Sequence, residues 1–203
     1  MIENAKENSQ RVELKDRIIE TASEAFTAHG IKGISKRTLY EVFQDKESLL
    51  TQCILKRQEE MNAFLAETLA NSKNVLEVIL VCYQRSIETF HRTNKRFFED
   101  IKKYPKVHSL LKNYRERDSD STIEFFKMGI KQGIFRDDVN FAIVNLLVHE
   151  QLDLLMNTDI CNKYSFLEVY EAIMFTYIRG ISTEKGAKVL EDFITEYRKQ
   201  RIH

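Results

Sequence analysis

Four consecutive residues near the start of the chain combine two hydroxyls with two cations: Ser35, Lys36, Arg37 and Thr38. Ser35 is a favourable N-cap, so a helix is predicted to begin behind it. The N-terminus of a helix attracts phosphate oxygens, and a serine hydroxyl can add a hydrogen bond. Lys36 and Arg37 can pair with phosphate or with the N7 and O6 atoms of guanine. These residues can therefore contact DNA, although two charges alone are more typical of an ordinary solvated helix start.

The overall charge does not point to nucleic acid. The 203 residues include 31 Lys and Arg and 31 Asp and Glu, so the formal charges sum to zero. Residues 1–50 contain fewer basic than acidic side chains. Any contact with DNA must therefore come from a local arrangement and not from a global basic field.

Catalysis, metal binding and membrane insertion find no support in the sequence. It contains no nucleophile elbow, no glycine-rich phosphate loop and no HExxH motif. Cys53, Cys82 and Cys161 are widely spaced and lack a CxxC pair, which is typical of reduced thiols. The polar N-terminus lacks a secretory stretch, and no run of about 18 apolar residues occurs. We expect a cytoplasmic protein without a catalytic residue, metal, cofactor or membrane partner.

Long helices joined by short loops are the expected architecture, because the chain contains only six Gly and one Pro. Apolar residues at helical spacing predict helices over residues 9–29, 45–71, 74–98, 139–156 and 166–179. Gly30 suits the left-handed residue that ends a helix, and Gly133 is expected to do the same. Asp45 is predicted to cap one helix, and Asp137 or Asp138 another.

The first fifty residues carry a pattern that resembles the N-terminal domain of TetR-like (TetR/AcrR) bacterial transcriptional regulators. The matching residues are Ala22, Ala25, Phe26, Gly30, Ser35, Leu39, Tyr40, Phe43, Lys46, Leu49 and Leu50. The segment from Tyr177 to Ser182, followed by an amphipathic helix, is similar to a common ending of the family.

The resemblance implies an all-α fold with an N-terminal helix-turn-helix DNA-binding head, residues 1–48, and a larger ligand-binding and dimerisation domain, residues 49–203. It implies a homodimer that binds a palindromic double-stranded DNA operator and responds to an unknown small-molecule effector, most simply as a repressor. The DNA contacts implied by the family pattern are Ser35, Lys36, Arg37, Thr38, Tyr40 and Lys46.

One spacing departs from the family. Only four residues separate Gly30 from Ser35, whereas roughly eleven more form the first helix and turn of the family's helix-turn-helix. Four residues hold little more than one helical turn of about 3.6 residues. Either about eleven residues of the protein are absent between Ile34 and Ser35, or the deletion is genuine and the head impaired. We favour the first, which predicts a chain break there wider than the ~3.8 Å Cα spacing of a peptide bond.

The ligand pocket implied by the resemblance lies between the long helices of the second domain. Candidate lining residues are Tyr83, Ile87, Phe90, His91, Phe97, Phe98, Phe125, Phe126 and His149. Aromatic residues at helical spacing are more often plain core, and they point only weakly to an apolar or aromatic ligand. His149, Glu150 and Asp153 could hold a metal, but a polar network between subunits or a solvated edge is the better prediction.

Two helices near the C-terminus carry more apolar residues than one core requires. In the family such a surplus forms a four-helix bundle between subunits, and the alternative is a thicker core within one chain. The predicted interface residues are Phe141, Val144, Val148, Leu152, Leu155, Phe166, Tyr170, Ile173, Met174 and Tyr177. The competing function is a helical dimer that binds a ligand or protein but has lost DNA binding, which a genuine deletion before Ser35 would favour.

Overall fold

A computed structural model of the chain describes residues 2–31, 43–117, 119–157 and 160–201. The described residues form ten helices and no named strand. The helices are α1 Ile2–His29, α2 Lys46–Asn71, α3 Val75–Arg92, α4 Lys95–Ile101, α5 Pro105–Arg117, α6 Ser119–Lys131, α7 Phe141–Asn157, α8 Ile160–Lys163, α9 Phe166–Ile181 and α10 Glu184–Arg201. The predicted all-α class is confirmed. Among these helices, none has the length and apolar character needed to cross a bilayer.

The chain divides into two compact units. The first consists of Met1–Phe64 and Glu88–Tyr114, and the second of Leu65–Ile87 and Arg115–His203. This division follows contacts within the chain. The functional boundary between residues 48 and 49 therefore stays a prediction.

The core of the first unit begins with one apolar stripe of α1. Ile19, Ala22 and Phe26 follow helical spacing and are all buried, Phe26 to 1% exposure. They pack with Ile31, Phe43, Leu49, Leu50, Cys53, Ile54, Phe97 and Val107. Gly30 adopts a φ of +77° and donates its N–H to the Phe26 carbonyl, 3.0 Å away. The prediction that Gly30 ends this helix is confirmed.

The second unit has a separate core built around Tyr83, which is 1% exposed. Helices α3, α6, α7, α9 and α10 all contribute side chains to it. Gly133 has a φ of +66° and follows the end of α6, as predicted. Thr183 caps α10, because its hydroxyl oxygen accepts from the N–H of Gly186 at 3.2 Å.

Two predicted helix ends were wrong. The single helix expected over 74–98 is two helices, because Asn94 has extended backbone angles and its side chain accepts from the N–H of Arg96. Asp137 and Asp138 do not cap α7. Asn140 does so, by accepting from the N–H of Ile143 at 3.2 Å. Asp138 instead pairs with the guanidinium of Arg136, at 2.6 Å.

Candidate nucleic-acid interface

The predicted DNA-contacting residues lie mostly outside the described residues. Ser35, Lys36, Arg37, Thr38 and Tyr40 fall in the segment 32–42, which the structure does not describe. The Ile34–Ser35 junction, where a chain break was predicted, lies in the same segment. The described residues of the candidate interface are therefore those on either side of this segment, at the end of α1 and the start of α2.

The end of α1 is held by the residues that begin α4. Asn94 donates its backbone N–H to the Thr27 carbonyl at 2.7 Å and its side-chain amide to the Ala28 carbonyl at 3.2 Å. These bonds satisfy carbonyls that the last turn of a helix leaves without intrahelical partners. Ile31, just beyond Gly30, is fully buried. The residue that precedes the segment 32–42 is therefore held within the core of the first unit.

The start of α2 is held equally firmly. Asp45 caps the helix by accepting from the N–H of Ser48 at 2.6 Å, as predicted. That hydrogen bond lowers the pKa of the Asp45 carboxyl below its usual value. Glu47 accepts from the backbone N–H of Lys106 at 2.9 Å, and Phe43 is 6% exposed. The residue that follows the segment, Phe43, is therefore also held within the first unit.

Lys46 links the start of α2 to the residues that follow α1. Its ammonium donates to the carbonyl oxygen of Ile31 at 2.9 Å, across fifteen positions of sequence. An ammonium has three N–H donors, so this bond leaves capacity for a further acceptor. In this structure Lys46 links two residues that lie on either side of the segment, and its predicted contact with DNA phosphate stays a prediction.

The predicted pocket residues divide between the two units. Phe90, His91, Phe97 and Phe98 belong to the first unit, where Phe97 is buried in the core. Tyr83, Ile87, Phe125, Phe126 and His149 belong to the second. The side chain of Phe98 is outside the described set, His91 is exposed, and Phe90 and His149 are half-buried. The structure does not gather the nine residues in one unit, and the pocket stays a prediction.

Tyr83 lies at the centre of an aromatic cluster in the second unit. Its ring stacks on Tyr170 with a centroid distance of 5.5 Å and also contacts Phe175, Phe193 and Tyr197. Its hydroxyl donates to a carboxylate oxygen of Glu171 at 3.1 Å. Burial, with the negative charge of Glu171 close by, raises the pKa of Tyr83. The cluster is apolar core that also contains one polar pair, in which Tyr83 is buried and Glu171 is half-buried.

Several residues that were predicted to form the dimer interface pack within the core of a single chain. Phe141 is 7% exposed and stacks on Phe126 at a centroid distance of 4.5 Å. Val144, Tyr170 and Met174 also pack against the core of the second unit. Val148, Phe166, Ile173 and Tyr177 are half-buried, while the side chains of Leu152 and Leu155 lie outside the described set.

The exposed apolar side of α7 consists of residues that the sequence did not single out. Ile143, Leu146 and Leu147 are 54%, 59% and 46% exposed. Their spacing of i, i+3 and i+4 was a usable signal, since it places all three on one face of the helix. The sequence could not choose between this face and the one that carries Phe141 and Val144, because both are apolar.

Metal binding has no support in the described residues. They contain no group of three or more His, Cys, Asp or Glu side chains placed to hold an ion. This includes His149 and Glu150 on α7, whereas the side chain of Asp153 lies outside the described set.

Comparison with solved structures identifies the fold. A TetR-family regulator from Agrobacterium tumefaciens has a TM-score of 0.64 at 15% identity, covering 85% of this chain and 100% of its own. One from Cytophaga hutchinsonii has a TM-score of 0.64 at 14% identity, covering 86% and 98%. A ketosteroid transcriptional regulator of Mycobacterium tuberculosis has a TM-score of 0.53 at 16% identity, covering 84% and 95%. No family model and no curated sequence matches the chain. The resemblance predicted from the sequence is thus confirmed as a likeness of fold.

Proposed function

We propose that the protein is a dimeric, DNA-binding transcriptional regulator of TetR type that represses its target until a small molecule binds. The supporting observation is the fold, which is similar to that of TetR-family regulators over almost the whole length of those chains. These neighbours are regulators and not enzymes, in agreement with a sequence that lacks catalytic motifs. We place the protein in the cytoplasm, where an operator is accessible.

DNA reading is assigned to the segment 32–42. It carries Ser35, Lys36 and Arg37, whose chemistry suits phosphate and guanine. An element that selects bases must keep a fixed orientation, and the residues on either side of this segment, Ile31 and Phe43, are buried in the core of the first unit. The bond from Lys46 to Ile31 supports this role, because it ties the residue before the segment to the first residue of α2.

Dimerisation is assigned to α7 and α9, which pack side by side in the second unit. Ile143, Leu146 and Leu147 expose an apolar strip on α7. On α9, Ala172, Thr176 and Gly180 are exposed, and a Cβ added at Gly180 would meet nothing within 4 Å. Small residues let a second helix approach closely, and the leucines supply area that a second copy can bury. A two-fold axis would pair these surfaces with themselves.

The effector is proposed to be apolar or aromatic and to bind within the second unit. The aromatic cluster around Tyr83 supports this choice. The Mycobacterium tuberculosis neighbour, which carries ketosteroid in its name, is a further reason to screen such ligands first. A ligand can release DNA only to the extent that it binds one conformation better than the other.

The experiment is a fluorescence anisotropy titration of a labelled duplex from the region upstream of the protein's own gene, with a scrambled duplex as control. We expect preferential binding to the upstream duplex, and affinity that falls steeply as salt rises. The double variant Lys36→Ala/Arg37→Ala should lose at least tenfold in affinity. The charge-matched variant Lys188→Ala/Arg198→Ala, on exposed positions of α10, should bind as the wild type does. Equal losses in the two variants would overturn the assignment of DNA reading.

A second candidate function is a dimer that binds a ligand or protein but no DNA. The four-residue spacing between Gly30 and Ser35 favours it, because a two-helix reader does not fit there. Absence of binding to both duplexes, together with a dimer in solution, would select this candidate.

A further inference from the structure

Asn94 joins the start of α4 to the end of α1 within the first unit. Its backbone N–H donates to the Thr27 carbonyl at 2.7 Å, and its side-chain amide donates to the Ala28 carbonyl at 3.2 Å. On the other side, its side-chain oxygen accepts from the N–H of Arg96 at 2.9 Å, and its carbonyl accepts from the N–H of Phe97 at 2.9 Å. The backbone and the side chain of Asn94 therefore each make one bond to α1 and one to α4.

The amide side chain is what allows Asn94 to bond in both directions. An asparagine carries a donor and an acceptor on one short side chain, so it can cap α4 and bond to α1 at the same time. An aspartate keeps the acceptor, which serves as an N-cap about as well as asparagine does, but an ionised carboxylate has no N–H to donate. The bond to α1 and the cap of α4 can therefore be separated by substitution.

The first turn of α4 also packs against the turn that follows α1. Gly30 has a φ of +77°, and a Cβ at this position would lie 3.0 Å from the Cβ of Arg96. The next residue, Ile31, is fully buried and belongs to the same core cluster as Phe97. The residues that precede the segment 32–42 thus lie against α4, and Asn94 is the residue that bonds α4 to the last turn of α1.

We propose that Asn94 is a positioning residue for DNA reading, which acts by holding the end of α1 against α4. This role rests on the proposed assignment of DNA reading to the segment 32–42. Asn94 is not among the predicted DNA contacts, so its effect passes through the position of Ile31, the residue before that segment. Base contacts select a sequence and depend on orientation, whereas phosphate contacts hold any duplex. Loss of the bond to α1 should therefore reduce discrimination between sequences more than affinity for DNA in general.

The experiment measures a ratio of two dissociation constants by fluorescence anisotropy, that of the scrambled duplex over that of the upstream duplex. Asn94→Asp and Asn94→Ala should each lower this ratio about fivefold or more, because one well-aligned base contact discriminates by about that factor. A smaller folded fraction weakens apparent binding to both duplexes equally, and so does an added negative charge, so neither effect changes the ratio.

Asn74 offers matched control variants in the second unit. Its side-chain oxygen caps α3 by accepting from the N–H groups of Leu76 and Glu77 at 3.0 and 3.1 Å, and it is half-buried as Asn94 is. Asn74→Asp and Asn74→Ala change charge and cap in the same way as the two test variants. They should leave the ratio unchanged.

Hydrogen exchange measured by mass spectrometry tests the same role without DNA. In a peptide that covers residues 26–31, the Asn94 variants should exchange faster than the wild type. The reason is that the Ala28 carbonyl, in the last turn of α1, loses its partner, so this end of the helix opens more often. The Asn74 variants should exchange in this peptide as the wild type does.

The outcomes separate this role from the proposed function. A wild type that binds both duplexes equally would contradict DNA reading and, with it, a role of Asn94 in discrimination. A wild type that discriminates, with Asn94 variants that keep its ratio or its exchange rate, would overturn the role of Asn94 alone. An equal fall of the ratio in the Asn94 and Asn74 variants would also overturn it, because the effect would then not arise at the end of α1.

Discussion

The exposed strip on α7 gives the sharpest test of the proposed dimer. Leu146 is the most exposed of the large apolar residues in the described chain, at 59%, and Ile143 follows at 54%. Both lie on the solvent side of a helix whose other side packs into the core. The variant Leu146→Asp should therefore leave the fold of one chain intact and weaken association between chains.

The size of the effect follows from the exposed fraction. Complete burial of a leucine side chain stabilises by about 1.5–3 kcal/mol, so burying the 59% still exposed contributes about 0.9–1.8 kcal/mol per subunit. A two-fold interface buries this leucine in both subunits, so its total contribution to the free energy of dimerisation is about 2–3.5 kcal/mol. At about 1.4 kcal/mol per factor of ten, Kd should rise about twentyfold to three-hundredfold. Burial of an unpaired aspartate would add to this.

Sedimentation equilibrium over a series of protein concentrations measures that Kd directly. The control is Leu69→Asp on α2, where the leucine is also an exposed apolar residue, at 41%. We expect a shift toward monomer for Leu146→Asp and none for the control, with similar thermal unfolding midpoints. A wild-type chain that stays monomeric, or two variants with the same Kd, would refute the assignment of the interface to α7.

Three further changes test the packing described above. Gly186→Ala should lower the free energy of unfolding by about 1–3 kcal/mol in urea titrations, because a Cβ would lie 2.3 Å from the Ile134 carbonyl oxygen. Tyr83→Phe should cost about 1 kcal/mol in the same measurement, since it removes the buried donor to Glu171. Asp45→Ala should destabilise near neutrality by an amount that shrinks on acidification. The lowered pKa of that carboxyl means that its contribution is present above its unfolded pKa and lost as pH falls through the folded one.

Three matched control variants test whether these effects arise at the named contacts and not from a general sensitivity of the fold to substitution. Gly180→Ala introduces the same methyl group where nothing within one chain lies within 4 Å, so at protein concentrations that keep the chain monomeric it should not lower the free energy of unfolding. Tyr164→Phe removes a hydroxyl from a residue that is 48% exposed and should change the free energy of unfolding little. Asp45→Asn keeps an acceptor for the helix N-terminus, so its stability should depend less on pH. Each explanation fails if the control changes stability as much as its partner.

Helix ends were predictable where one residue decides them locally. Gly30 and Gly133 both adopt positive φ, a conformation that glycine enters without steric cost, and both were predicted. Asp45 was predicted because a carboxylate at the N-cap accepts from the first turn. The break at Asn94 was missed because apolar residues continue on both sides of it. Its conformation depends on bonds to Thr27 and Ala28, sixty-six residues away from the latter.

The features of the candidate site are also of two kinds. Some follow from the local sequence, and others depend on residues that are far apart in the chain. The cationic start behind Ser35 is a local pattern and can be read from the sequence alone. The hydrogen bond from Lys46 to Ile31 cannot be predicted from the sequence alone, because it forms only where the end of α1 lies next to the start of α2.

The proposed interface on α7 shows why an apolar surplus favours a partner but does not say which face the partner covers. Phe141 and Val144 became core because Phe126 of α6 stacks on one and the second unit packs against the other. Once that face is buried, helical periodicity leaves Ile143, Leu146 and Leu147 on the opposite side. The periodicity of α7 itself cannot predict which of the two sets is buried, because each set satisfies helical spacing equally well. The choice depends on the neighbouring elements, because Phe126 and Phe135 both contact the ring of Phe141 and hold that side of α7 in the core.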